Sequence, residues 1–235
     1  GIYTPEDYFS PISMRCKIHP NGQDIFVEVD WMKGHKPSRK ALELVMRSFY
    51  RACRLNIFIT LHIDDGCMGG GGQITHQDEL ATEDKDGDLN DWNDFYGNNN
   101  YFNSDRKHIF RYCIFAHEID TGKSGRCDHI DLFIVADADS VVNHEIKGQA
   151  GTFMHELGHT LGLDDDLFDG IDNDQSDDWT WPWDTDHPYN RYANYKSCMN
   201  YRYQTEIIDY SDGTHGSGDF DDWGHIDLTN GGWFG

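Results

Sequence analysis

His155-Glu156-Leu-Gly-His159 is the part of this chain whose residue types and spacing can do chemistry. Residues four apart on a helix share one face a turn apart, so His155 and His159 can grip one ion. Glu156, beside the first histidine, can reach a water on that ion. Two neutral imidazoles, an open coordination position and a carboxylate that accepts a proton are the parts a zinc hydrolase needs. Two helix histidines with ordinary surface roles are the plainer reading. The small residues Gly158 and Gly162 and the strand before the motif weigh against it. A third ligand is expected soon after Gly162, where Asp164, Asp165 and Asp166 stand in a row.

The elements that must position this motif follow from hydrophobic periodicity. Gly148 to Leu161 carries Ala150, Phe153, Met154, Leu157 and Leu161 at helical spacing, and Gly162 suits the left-handed position past a helix end. Upstream, Asp24–Asp30 alternates apolar and polar residues as a strand does. Ser38 opens a helix to about Ala52, with Ala41, Leu42, Leu44, Val45, Phe49 and Ala52 on one face. Leu55–Ile63 is a second strand, and the short connections make a right-handed parallel unit. Asp64 to Ser104 reads as long polar loops containing Gly69–Gly72 and one helical piece around Gln77–Glu83. His108–Ala116 and Ile130–Ala136 are further strands. The expected class is α+β: a twisted mixed sheet with the motif helix in an upper lobe, about 1–162, and an irregular lower lobe, about 163–235, in one domain.

The bulk composition narrows the function. A chain of 235 residues can bury a proper core. A net charge of -23 leaves none of the basic patches that nucleic acid requires. No apolar run reaches the roughly 18 residues of a membrane span. Of the 42 acidic residues 33 are Asp and 9 Glu, which fits either bound calcium, held by short carboxylates in turns, or a highly solvated surface. The cysteines Cys16, Cys53, Cys67, Cys113, Cys127 and Cys198 form no C-x-x-C pair. Wide spacing and an even count point to disulfides in a secreted protein, against a cytosolic protein with buried thiols. Cys53–Cys67 and Cys113–Cys127 would close short loops.

With the motif in place, the chain resembles the metzincin clan of zinc endopeptidases, whose pattern is H-E-x-x-H-x-x-G-x-x-H followed by a methionine-containing turn. The match holds at His155, Glu156, His159 and Gly162, and Ser197-Cys198-Met199-Asn200-Tyr201 is similar to the clan's S-x-M-N-Y turn. The departure is at position 165, an aspartate, as in the snapalysin family of the same clan. The resemblance implies a zinc ion held by His155, His159 and Asp165, with Asp164 or Asp166 as neighbours able to replace it and His187 as a remote alternative. It implies Glu156 as general base, Tyr201 as a group that stabilises the oxyanion or else a core tyrosine, and Met199 as a packing floor under the metal. It also assigns His108–Ala116 as an exposed edge strand that pairs with extended substrate, against an ordinary internal strand.

Two aspartate clusters are candidates for structural calcium: Asp84, Asp86 and Asp88, and Asp169, Asp172 and Asp174. The first is not an EF-hand, since its glycine comes at the fourth place. Trp179, Trp181 and Trp183 either pack their loop onto the domain or line a subsite. The tail, with Asp219, Asp221, Asp222 and His225, is expected to pack behind the methionine turn. The leading expectation is a secreted, monomeric zinc endopeptidase acting on protein or peptide substrates, without nucleic-acid partners. The alternatives are a zinc hydrolase of a non-protein amide and a calcium-dependent binding module that has lost catalysis.

Overall fold

The computed structural model describes residues 22–80, 95–96, 101–119, 122–136, 145–173 and 187–229. The first calcium candidate (Asp84, Asp86, Asp88), Asp174 and the tryptophans at 179–183 lie outside these residues.

A strand that alternates apolar side chains buries two faces only if both are covered, and β1 (Gln23–Met32) meets that condition. It runs parallel to β2 (Ile59–Asp64) over Gln23–Glu28 and to the short β3 (Gln73–Ile74) over Trp31–Met32. Its other edge pairs in parallel with β4 (Phe110–Ala116), which pairs with β6 (Leu132–Ala136). β5 (Gly125–His129) closes the sheet antiparallel to β6, giving the order β2-β1-β4-β6-β5. The architecture is mixed α+β, as expected for the class.

Side-chain parity sorts the core. Ile25, Val27, Val29, Trp31, Cys113, Phe115, Phe133 and Val135 face one cluster with residues of α1 (Arg39–Ala52) and α2 (Ile146–Thr160). Tyr112, Ile114, Ala116, Leu132, Ile134 and Ala136 face the other, covered by Ile74, Leu80, Phe95, Phe102 and Ile119. Each fully buried Val, Ile or Phe contributes about 1.5–3 kcal/mol. α1 buries Ala41, Leu42, Val45, Ser48, Phe49 and Ala52, the face its periodicity predicts.

Four expectations change. β4 is not an edge strand: it lies between β1 and β6 and all seven of its residues are buried. Among the described residues the edge on that side of the sheet is β5, whose short polar sequence carries no hydrophobic signal. Of the helical piece expected around Gln77–Glu83, residues 77–79 are not helical and Leu80 bridges to Ile119, while 81–83 lie outside the described residues. Cys67, Cys113, Cys127 and Cys198 are in no disulfide, so neither the Cys53–Cys67 nor the Cys113–Cys127 bridge forms. Cys113 and Cys127 both pair with Phe133, from opposite sides. They are therefore two strand spacings apart, about 9–10 Å, beyond the reach of a disulfide.

The glycine run becomes a loop whose backbone amides serve three inward-facing carboxylates. Asp64 accepts from the amides of Gly66 (3.1 Å), Met68 (2.8 Å) and Gly70 (2.9 Å), Glu28 from Gly71 (3.2 Å), and Asp30 from Gly72 (2.6 Å). Arg106 bridges Glu28 and Asp64, and Tyr112 donates to Asp30 at 2.6 Å. After Gly162 the described residues run mostly in turns, with two short helices among them, α3 (Pro188–Arg191) and α4 (Asp222–His225). The described part of the tail packs where expected. Tyr210 and Trp223 join the main core, and Cys198 donates its amide to the Asp209 carbonyl at 2.9 Å.

Candidate metal centre

α2 delivers His155 and His159 to one place because they are one helical turn apart, and their rings meet edge to face at 4.7 Å. Each ring is held from behind by a backbone carbonyl. Nδ1–H of His155 donates to Cys198 O at 2.9 Å, and Nδ1–H of His159 donates to Leu163 O at 2.8 Å. A carbonyl only accepts, so each Nδ1 carries a proton and each Nε2 is the atom left to face the site. Those two Nε2 atoms are 3.1 Å apart.

The third group is Asp172. Its Oδ1 lies 2.9 Å from His155 Nε2 and its Oδ2 3.4 Å from His159 Nε2. Asp172 Oδ1 is buried against His155 Nε2. Asp172 has φ +52°, a left-handed conformation uncommon for a residue with a side chain, and such outliers collect at functional sites. Its amide donates to Met199 O at 3.1 Å, which fixes it there.

Two imidazole nitrogens and a carboxylate this close together suit a bound cation, and without a metal a proton serves. Burial pulls the His159 imidazole down, but its bond to Asp172 and the charge of Glu156 outweigh this and lift its pKa to about 9. Burial would raise Asp172, yet its bonds to His155 and His159 hold it well below the usual carboxylate range. A zinc-type ion fits the same donor set, imidazole nitrogen plus carboxylate oxygen. His155, His159 and Asp172 are the residues that would hold it.

Asp165, the residue at the expected third position, is exposed and joins no such group among the described residues, and Asp164 and Asp166 are exposed with it. The reason is the turn. Gly162, at φ +83°, reverses the chain so that Leu163 rather than residue 165 comes back to the helix, where its carbonyl takes the His159 proton. Asp164 then caps the next turn through Leu167 N at 3.1 Å, and successive turns carry Asp172 to the histidines. Asp172 therefore leaves the calcium cluster in which its sequence neighbours placed it. Asp169 is exposed and meets the Tyr192 hydroxyl at 3.5 Å. His187 is buried and accepts at Nδ1 from Tyr189 N (3.1 Å), apart from the His155 group.

Glu156 is almost fully buried beside the histidines, and burial raises its pKa while His155 and His159 pull the other way. β5 crosses over it: a methyl group at Gly125 would sit 2.5 Å from Glu156 Oε1. The methionine turn lies beneath. Ser197 Oγ accepts from Met199 N at 3.0 Å, and Asn200 Nδ2 ties back to the carbonyls of Tyr192 and Tyr195, each at 3.0 Å. Met199 is fully buried against α2, where a methyl group at Gly158 would lie 2.5 Å from its Sδ. Tyr201 stacks on the His155 ring at 5.3 Å and remains partly exposed. The carbonyl holders Leu163 and Cys198, and Gly125 over the glutamate, carry no signal in their side-chain types. Comparison of the chain with protein-family models and with curated proteins finds no match.

Proposed function

We propose that this chain is a zinc-dependent endopeptidase of metzincin type, with His155, His159 and Asp172 as the metal ligands. One observation carries the reading. Two histidines whose Nδ1 protons are spent on carbonyls turn their Nε2 atoms to one buried carboxylate, beside a buried glutamate. The two elements of the clan resemblance, the His155–Gly162 motif and the Ser197–Tyr201 turn, support it by meeting at this point. So does the antiparallel strand lying over the motif helix.

When bound, the ion supplies a Lewis acid that polarises the scissile carbonyl and eases ionisation of a water. The protein's own groups do the rest. Glu156, desolvated and raised, accepts the proton of the attacking water and returns it to the leaving amine. Tyr201, partly exposed over His155, is placed to donate to the developing oxyanion. β5, the last strand of the sheet, is the edge along which an extended peptide adds by main-chain pairing, in place of β4. Gly125 on that strand keeps the backbone close to the Glu156 carboxylate.

The test is cleavage of casein or gelatin by the zinc-loaded protein, abolished by 1,10-phenanthroline and restored by added zinc. A protein that binds zinc at these residues yet cleaves no protein substrate would instead act on a non-protein amide. One that does not bind zinc there overturns the reading.

A further inference from the structure

Three histidines with no shared motif meet on another part of the sheet. His35 follows β1, His76 follows β3 and His117 follows β4, and these are three neighbouring parallel strands in the order β3-β1-β4. The register brings the strand ends level, since Met32 pairs with Ile74 and Trp31 with Phe115. Each strand therefore hands over its histidine just past the sheet. A tight turn, with His35 N donating to Met32 O at 2.9 Å and Gly34 at φ +96°, folds His35 back toward the strand end. His117 N is drawn to Met32 Sδ at 3.5 Å, which pins the same corner.

We propose that His35, His76 and His117 form a second transition-metal site of zinc type, independent of the one on α2. One ring nitrogen from each lies within 4.8 Å of the other two. His117 Nδ1 and His35 Nε2 are 3.1 Å apart, and the ring centroids are separated by 4.8 Å (His35–His117), 5.3 Å (His76–His117) and 5.5 Å (His35–His76). The nearest ion-pair partner, Asp78, is fully exposed and 3.6 Å from His76 Nδ1, so it stands outside the cluster as an orienting group rather than a ligand.

The donor set selects the ion. Three imidazoles suit zinc, cobalt, nickel or copper, whereas calcium and magnesium demand oxygen ligands. Rigid strand ends hold two of the rings, and the exposed His76 closes the set from the loop after β3, leaving the metal open to solvent on its side. Bound metal would clip the ends of β1, β3 and β4 together. Stacking of three neutral imidazoles through one hydrogen bond is the metal-free alternative, and it makes a different forecast for metal content.

The experiment counts zinc per chain after equilibration in a zinc-buffered solution, for wild type, His76→Ala, His117→Ala and His155→Ala. His76→Ala and His117→Ala are each expected to carry one equivalent fewer than wild type. Added zinc is expected to raise the melting temperature of wild type more than that of His76→Ala. Because His76 is exposed, its variant keeps the metal-free melting temperature of wild type. In the His155→Ala background, Co2+ titration is expected to develop a visible d–d band that His76→Ala removes. Wild-type zinc content in both His76→Ala and His117→Ala overturns the proposal. A failure of the α2 site shows separately, as His155→Ala retaining wild-type zinc while His76→Ala loses an equivalent.

Discussion

The amide of Asp172 donates to the carbonyl of Met199 at 3.1 Å, one residue beyond the carbonyl that holds His155. Two of the three candidate ligands thus hang from consecutive carbonyls of one buried turn. Asp172→Ala is expected to lose the α2-site zinc, whereas Asp165→Ala, in an exposed turn, keeps it. Metal analysis of the two variants decides between these aspartates, and retained zinc in Asp172→Ala would assign the ligand elsewhere.

Glu156 contributes no ligand atom, so Glu156→Ala is expected to hold zinc at wild-type stoichiometry. Its turnover should fall about 10²–10⁴-fold, the usual contribution of a positioned proton acceptor. Parallel measurement of zinc content and casein cleavage separates this from a collapsed site.

Tyr201→Phe keeps the ring that stacks on His155 and removes only the hydroxyl. The expected result is unchanged zinc content and KM, with kcat lower by about 10². An unchanged kcat returns Tyr201 to a purely structural role.

Gly158→Ala tests the floor. The added methyl would come within 2.5 Å of Met199 Sδ and 3.2 Å of the Tyr210 hydroxyl. Overpacking of this kind costs about 1–3 kcal/mol, to be read from the denaturant midpoint. Gly158→Ala with Met199→Ala should recover part of the loss, because the second change opens the space the first one fills.

Asp30 gives a pH signature. Burial lifts its pKa from 3.8 to about 6, against the bonds from Tyr112 and Gly72. The folded state thus binds the proton more tightly than the unfolded one, and stability falls as pH rises from about 4 through about 6. This group alone accounts for up to about 3 kcal/mol of that fall. Asp30→Asn is expected to flatten the profile in this window, measured by urea unfolding at successive pH values.

The long periodic elements were legible in the sequence: α1, α2, β1, β4 and β6 fall within a few residues of their predicted bounds, because burial on one or two faces imposes a period. His155, Glu156 and His159 were legible for the same reason, as positions on one helix face. β5 was not, since an edge strand of sequence Gly-Arg-Cys-Asp-His has little apolar pattern to show. Nor was Asp172. Its approach depends on a succession of turns after Gly162, which has no period, and the nearer aspartates offered the same chemistry at a closer spacing. The His35, His76 and His117 cluster needed the strand register itself, because nothing local links the three.

The glycine loop over Glu28, Asp30 and Asp64 has a consequence for the ionic environment the protein tolerates. Its carboxylates are neutralised jointly by fixed peptide dipoles and by the Arg106 guanidinium, so the chain's own side chains occupy an anion nest that other proteins offer to phosphate. Buried dipoles are poorly screened by dissolved ions, unlike surface pairs such as Lys36–Asp65 at 3.9 Å. The loop is therefore fastened by buried contacts that salt weakens little, in a molecule whose net negative charge repels itself most when salt is scarce.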